Sequence, residues 1–360
     1  VDGDATIEAS VDSPVPTDLT GIPIIPERWV SAWDTTANLD SPAYWAGDTE
    51  AWVVTTAKGT HDLWVHDASN GELVRRVGRM GTGPGEFNYP NGIAVVGDLV
   101  LVTERDNHRV QVLSLPDFES LGTFGEESLD RPYGIAFLEA SDGSLTVYVT
   151  DDYGNGVERP DGVAPTGDFT RRIKEYRVVL SGGVGAPEDS EPIPGVQAAL
   201  VRSFGEADGP GAILVAESIQ VDEDQGILLV ADEFSFELEV YDLDGRYLGQ
   251  TVGAGLYSHG DPEGIMLYRC GGDGYWILTD QGLTRSVFHV LDRVSMEHLG
   301  SFAGEVTANT DGIWLDQGLV PGVGQGALFA LHDDGGLSAF AWEDIAGTLD
   351  LSSGCDVQVP

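Results

Sequence analysis

The chain is built from short runs in which apolar residues alternate or follow one another directly, each closed by Gly, Asp, Asn or Pro. DLVLVTERD, LTVYVTDD, ILLVADEF, GYWILTDQG and ALFALHDDG are such runs, and each ends in a carboxylate-bearing turn. Their period is that of strands, and so is their content of β-branched and aromatic residues. No convincing amphipathic helix is read in the chain. A second regularity overlies the first: a motif ending in Gly-Ile or Ser-Ile opens a strand in PNGIAV, PYGIAF, ESIQV, PEGIML and TDGIWL. After NGIAVV come DLVLVTERD, HRVQVLSL and SLGTFG; after EGIMLY come GYWILTDQG, SVFHVLDR and HLGSFA.

DSPAYW, EAWVVTTAKG, DLWVHDASNG and LVRRVG supply one further unit of the same kind, which brings the count to six. The period is about forty residues, as in propeller blades. The expectation is therefore an all-β, six-bladed β-propeller. Its last unit lacks a clear outer strand, while ERWVSAW near Trp29 is a strand without a blade. An N-terminal strand is expected to pair with the last blade, closing the ring and removing an open edge. Gly/Pro/Asp-rich stretches between Asp151 and Arg171, and between Gly182 and Val196, read as loops.

Composition supports one closed domain. Forty-eight glycines in 360 residues fit many strands joined by tight turns. Residues 1–20 are polar, acidic and Pro-containing and read as a flexible segment, with 21–360 as a single propeller. Such a start without an initiator Met is that of an exported chain whose signal was removed, or of a trimmed one, so secretion or a periplasmic location is expected. No apolar run is long enough to span a bilayer. Cys270 and Cys355 suit a single disulfide in an exported protein and lack metal-site spacing. A monomer is expected.

With 18 Lys+Arg against 60 Asp+Glu, the net charge of −42 argues against nucleic acid as a partner, because phosphate contacts need a basic stripe. A solvated acidic surface explains most of that charge. Position explains a different part. Equivalent residues of a radial repeat face one axial place, and those preceding the Gly-Ile and Ser-Ile motifs all carry oxygen: Asn91, Tyr133, Glu217, Glu263 and Asp311. Asp40 and Asp261 lie near them. A second ring forms where strand two of each blade ends: Lys58, Glu104-Arg105, Asp151-Asp152, Asp232-Glu233, Asp280-Gln281 and Asp333-Asp334. One such acid commonly caps a turn. Many uncompensated carboxylates near one axis repel one another unless a cation joins them, and a hard cation with oxygen ligands is the natural occupant.

The motifs resemble those of a known family. Glu217 and Glu233 in ESIQVDEDQGILLVADE, Asp261-Pro-Glu263-Gly264, Gln281-Gly282 and Thr310-Asp311-Gly312-Ile313 look like the calcium-ligand motifs of the β-propeller phytases. DSPAYW at Asp40, TAKG at Lys58, TERDNHRVQV at Arg105 and RPYG at Tyr133 extend the resemblance over roughly residues 30 to 342. It implies several calcium ions in an acidic cleft, with Asp40, Tyr133, Glu217, Glu233, Asp261, Glu263, Gln281 and Asp311 holding Ca2+ or the attacking water. Of these, Glu217, Glu263 and Tyr133 would be catalytic. Lys58 and Arg105 would bind the phosphate of a small-molecule ester, with phytate as its calcium complex the leading substrate. Lys58 is one of only two lysines, the other being Lys174. Its loss is expected to weaken substrate binding and leave calcium affinity nearly intact.

The chain departs from that family at Ser41, at Asp151-Asp152 and in GEVTAN, which weakens the phosphate side more than the metal core. A second resemblance, of GRMGTGPGEFNYPNGIAVV and LVLVTERDNHRVQVL to an NHL repeat, implies a binding module. A calcium-dependent lactonase or esterase propeller is the third reading, since it too would use axial acidic and Asn ligands. No HExxH, GxSxG or phosphate-binding Gly loop occurs.

Overall fold

The structure, a computed structural model, describes residues 17–153, 165–181, 195–258 and 260–354. Two short strands come first, β1 (Ile24–Ile25) and β2 (Trp29–Val30). Blade one holds β3 (Leu39–Ala46), β4 (Ala51–Ala57), β5 (Asp62–Asp67) and β6 (Leu73–Val77). Blade two holds β7 (Pro90–Val96), β8 (Leu99–Glu104), β9 (Arg109–Ser114) and β10 (Ser120–Phe124). Blade three holds β11 (Pro132–Glu139), β12 (Leu145–Asp151), β13 (Ile173–Ser181) and β14 (Gly195–Phe204). Blade four holds β15 (Ala216–Asp222), β16 (Ile227–Asp232), β17 (Glu237–Asp242) and β18 (Tyr247–Val252). Blade five holds β19 (Pro262–Cys270), β20 (Asp273–Asp280), β21 (Val287–Asp292) and β22 (His298–Gly304). Blade six has β23 (Ile313–Val320), β24 (Gly324–His332) and β25 (Gly336–Ala341), followed by a helix α1 (Trp342–Leu349).

Each blade is an antiparallel sheet in chain order, and the six sheets form the expected propeller. Closure is also as expected: β2 pairs with β25, Trp29 opposite Ala339 and Val30 opposite Ser338. A second closure was not legible. β1 runs parallel to β22, Ile24 opposite Ala303, so the chain start ties blade five as well as blade six. The helix corrects the all-strand reading. It buries Trp342, Ile345 and Ala346, a single i, i+3, i+4 stripe too short to stand out in sequence. Cys270, at the end of β19, is disulfide-bonded; the other cysteine, Cys355, lies outside the described residues. So do residues 1–16 of the N-terminal segment, and most of the two loops, 154–164 and 182–194.

Apolar burial is divided among clusters wedged between neighbouring blades. Strand two shows why its runs are hydrophobic on both faces. Leu228 and Val230 pack toward blade three with Tyr148 and Ile173, while Leu229 and Ala231 pack toward blade five with Trp276 and Leu278. Burying one such leucine stabilises the fold by about 1.5–3 kcal/mol. Because the core lies between blades, the axis is left as a channel of about 380 Å³, lined by first-strand residues such as Ile135, Phe137, Ile265 and Trp314. Ser41, Gly92, Gly134, Ser218, Gly264 and Gly312 line that channel. Each of them immediately follows one of the oxygen-bearing axial residues.

Candidate functional site

The first strand of every blade begins at the axis, and the glycines of the Gly-Ile motifs let those beginnings crowd together. A methyl group at Gly134 would stand 2.6 Å from the Glu217 carbonyl oxygen, and one at Gly312 would stand 2.7 Å from that of Asp40. The requirement is therefore close approach between blades. Main-chain bonds use the same proximity: Gly264 N–H donates to Asp311 O at 3.0 Å and Gly312 N–H to Asp40 O at 2.8 Å. Strand-two threonines reinforce it, with Thr103 Oγ1 donating to Tyr133 O at 2.6 Å and Thr150 Oγ1 to Glu217 O at 2.7 Å. The backbone thus fixes six side chains in one ring: Asp40, Asn91, Tyr133, Glu217, Glu263 and Asp311.

Lys58 lies among them, its Nζ 2.7 Å from Asp40 Oδ1 and 3.1 Å from Asp311 Oδ2. Tyr133 O–H donates to Asp40 Oδ1 at 3.2 Å, Ser41 O–H to Asp40 Oδ2 at 2.9 Å, and the Gln281 amide to Asp311 Oδ1. Glu217 is 6 % exposed and its Oε2 has no partner; Asn91 is fully buried with neither amide atom bonded. Burial, then the charges of Glu263, Glu233, Asp152 and Asp40, push the Glu217 carboxyl well above the ordinary carboxylate range. Glu263 is raised in the same way by burial, Asp311, Glu233 and Asp40, against the pull of Lys58. Burial lifts Asp311 to about 7 although Lys58 draws it back. The phenol of Tyr133 is raised well above its usual value, by burial and then by Asp40, Glu217 and Glu263.

The strand-two ends sort into two kinds. Glu104, Asp151, Asp232 and Asp280 cap the loops that lead into the axial strands. Asp232 accepts the N–H groups of Leu214 (2.9 Å), Val215 (2.8 Å) and Phe234 (3.0 Å), and Asp151 accepts Arg131 N–H at 2.7 Å. Glu104 holds Arg109 at 2.7 Å, and Asp280 accepts Ser258 N–H at 3.2 Å. For this half of the second ring the turn-capping explanation is correct, and these acids are not part of the axial cluster. The residues that follow them, and Lys58 at the equivalent place in blade one, are the ones that bear on it. Lys58 and Gln281 touch Asp311, while Glu233 and Asp152 act electrostatically on Glu217.

Not every expected residue is drawn in to the same degree. Asp261 is partly buried where β19 begins and receives the Gln281 N–H on its carbonyl at 3.0 Å. Arg105 opens a single 3-10 turn, Arg105–Asn107, where it pairs with Asp106 at 2.7 Å and lies 3.4 Å over the Tyr89 ring. Tyr89 also lies within electrostatic reach of Lys58, so it stands between the two cationic groups. Sequence reasoning missed Tyr89, and it missed Arg172. That buried guanidinium donates to Ile213 O and Leu214 O and pairs with Asp152 at 3.1 Å, holding this acid at the cluster's margin. The unusual pair Arg171-Arg172 before a strand, in so acidic a chain, was the available signal.

The donor set suits a hard cation: carboxylates, an amide pair and a phenol, with Glu217 Oε2 and Asn91 Oδ1 uncommitted. Among the described residues, no three acidic, His or Cys side chains close to ligating geometry. The reason is visible in the contacts, since Lys58, Tyr133, Ser41 and Gln281 occupy the oxygens of Asp40 and Asp311.

Residues 87–113, spanning β7 to β9, match the family model of the NHL repeat. No curated protein matches the chain in sequence. Among solved structures it is similar to a gluconolactonase from Xanthomonas campestris, with 16 % identity, a TM-score of 0.50, and 86 % of each chain covered. It is also similar to an inactive virginiamycin B lyase variant from Staphylococcus aureus solved with quinupristin (11 %, TM-score 0.49, 86 % of this chain and 98 % of that one). A chain of a nidogen/laminin complex is a further likeness (15 %, TM-score 0.45, 73 % and 79 %). At those scores the last two carry no weight. At such low identity the gluconolactonase bears on architecture alone: the chain is a β-propeller, and one of its blades is NHL-like in sequence.

Proposed function

We propose that the protein is a calcium-dependent hydrolase of phosphate monoesters that works at the axial ring. The observation that carries this reading is the mutual approach of Asp40, Glu217, Glu233, Glu263 and Asp311, with the ammonium group of Lys58 bridging only Asp40 and Asp311. So unbalanced a buried set is costly unless further positive charge joins it. Calcium bound there would admit an anionic ester to an acidic cup and lower the pKa of adjacent water.

The chain supplies the rest. Asp40, Glu217, Glu233, Asp261, Glu263, Gln281 and Asp311 would hold the ion. Glu217, whose Oε2 is buried without a partner, would take a proton from the attacking water once bound cation charge offsets the carboxylates that raise its pKa, with Glu263 and the Tyr133 hydroxyl orienting that water. Lys58 Nζ and the guanidinium of Arg105 would bind phosphate oxygens. Arg105 lies flat on Tyr89 with its Nε and one terminal nitrogen on Asp106, so a phosphate oxygen would replace that carboxylate on the guanidinium. Export of the protein as a monomer is consistent with this role and belongs to the same proposal.

A second reading, hydrolysis of a lactone or ester at the same ring, is favoured by Asn91. Its buried, unbonded amide offers a neutral ligand of the kind an axial lactonase would use. The NHL likeness of one blade leans toward a binding module, and no comparison speaks for phosphate. One assay separates them: release of phosphate from phytate and simpler monoesters, and opening of gluconolactone, each with calcium and with chelator. Calcium-dependent phosphate release supports the first reading. Lactone opening without phosphate release replaces it with the second, and calcium binding without either leaves a binding module.

A further inference from the structure

Lys58 occupies the place a cation would take. Its ammonium bridges Asp40 Oδ1 and Asp311 Oδ2, and together with Tyr133, Ser41 and Gln281 it leaves no oxygen of these two acids without a donor from the chain. Burial draws its pKa down, but Asp311 and Asp40 outweigh burial and hold it well above the ordinary lysine value. A divalent ion needs the same oxygens, and two positive charges within one such cup repel strongly. The ammonium and the ion therefore compete.

We propose that Lys58 is an exchangeable internal counter-ion. It clamps Asp40 to Asp311 and yields those oxygens to calcium, leaving the cup as the ion enters. This rests on the metal-dependent reading given above, and it changes the expectation that calcium affinity is indifferent to Lys58. Competition at a shared site lowers affinity for the competitor, so deleting the ammonium should raise calcium affinity.

The chain has only two lysines, Lys58 and Lys174, both buried at 9 % and 3 % exposure. Amine acetylation of the wild-type protein, read by mass spectrometry, therefore reports on each of them. Saturating calcium should speed acetylation of Lys58 by about tenfold, and leave Lys174 unchanged, relative to sodium chloride of equal ionic strength. Calorimetry of Lys58→Met should show calcium bound about tenfold more tightly, about 1.4 kcal/mol, with Arg246→Met, which removes an exposed cation paired with Asp242 away from the axial ring, near wild type. Should Lys58→Met fail to fold, the acetylation experiment still decides. Wild-type protein that binds calcium while Lys58 reactivity stays flat or falls overturns the exchange alone. Wild-type protein that binds no calcium overturns the metal reading and the exchange with it.

Discussion

Two sets of buried carboxylates sit on neighbouring strands, as Asp232 does opposite Ala216, the residue before Glu217, and behave in opposite ways. Asp151 and Asp232 end their strands with oxygens filled by main-chain N–H groups. Asp40, Glu217, Glu263 and Asp311 begin theirs facing other acids, relieved mainly by Lys58. Burial depth does not separate them, since Asp232 and Asp40 are at 0 % and 1 % exposure. Partners do. A carboxylate that satisfies three backbone donors is part of the fold, whereas one that faces like charge is a cost retained for binding.

The contrast is broken most forcefully by exchanging one acid of each kind. Asp232→Ala would leave three buried N–H groups unpaired and should lower unfolding free energy in urea by about 3 kcal/mol. Glu217→Gln, measured in chelator, should instead raise it by about 1 kcal/mol, because it removes a repelled charge while keeping the shape. Equal losses in the two variants would erase the distinction.

Calcium should act on the axial set only. A hundredfold excess over Kd adds about 2.7 kcal/mol to the native state. EDTA should then lower the Tm of metal-loaded wild type by about 5 °C, and of the Asp232→Ala protein by a similar amount. A melting curve that chelation does not move would remove the metal core.

Glu239 sharpens the comparison from a third direction, being buried at 1 % exposure with Oε2 unpartnered, neither cap nor axial. Burial and then Asp232 push its carboxyl up to about 10 from an ordinary value of about 4.5. The folded protein thus holds this proton while the unfolded chain releases it, so stability falls as pH rises from about 4.5 toward about 10. In chelator, denaturant unfolding at pH 5 and pH 9 should show a smaller loss for Glu239→Gln than for wild type. Equal losses would mean that Glu239 is charged in the folded state.

The smallest effect concerns the rim. Arg105→Ala should raise KM for a phosphate monoester about tenfold with little change in kcat and none in calcium affinity. A fall in kcat of equal size would move Arg105 from substrate binding into the transition state.

How much of this was legible differs between fold and site. The blades were legible because every strand-two run, such as ILLVAD, is apolar on both faces, and only packing between two neighbouring sheets buries both. The short α1 and the two-residue β1 were not, since neither has enough turns or alternations to rise above its surroundings. At the site, the radial repeat foretold that Asp40, Tyr133, Glu217, Glu263 and Asp311 would meet. It could not tell Asp232 from Glu233, adjacent acids of which one caps a loop and the other faces the axis. Alternation along an extended chain decides that, and the place where the strand stops sets its phase. Asp106 and Glu104 were the two local partners that adjacency offered Arg105, and only the structure shows that Asp106 takes it while Glu104 holds Arg109.

The sequence by itself determined the periodicity, and with it the number of blades, the closure by Trp29–Val30 and the oxygen-rich character of the axis. These depend on patterns repeated six times, and repetition makes a weak local signal strong. Only the tertiary structure decided which acids are satisfied and which are strained, because that depends on donors brought in from other blades. Lys58 reaching from blade one to Asp311 of blade six is a contact across 253 positions of the chain. No local pattern encodes such a pairing; it exists because the ring closes.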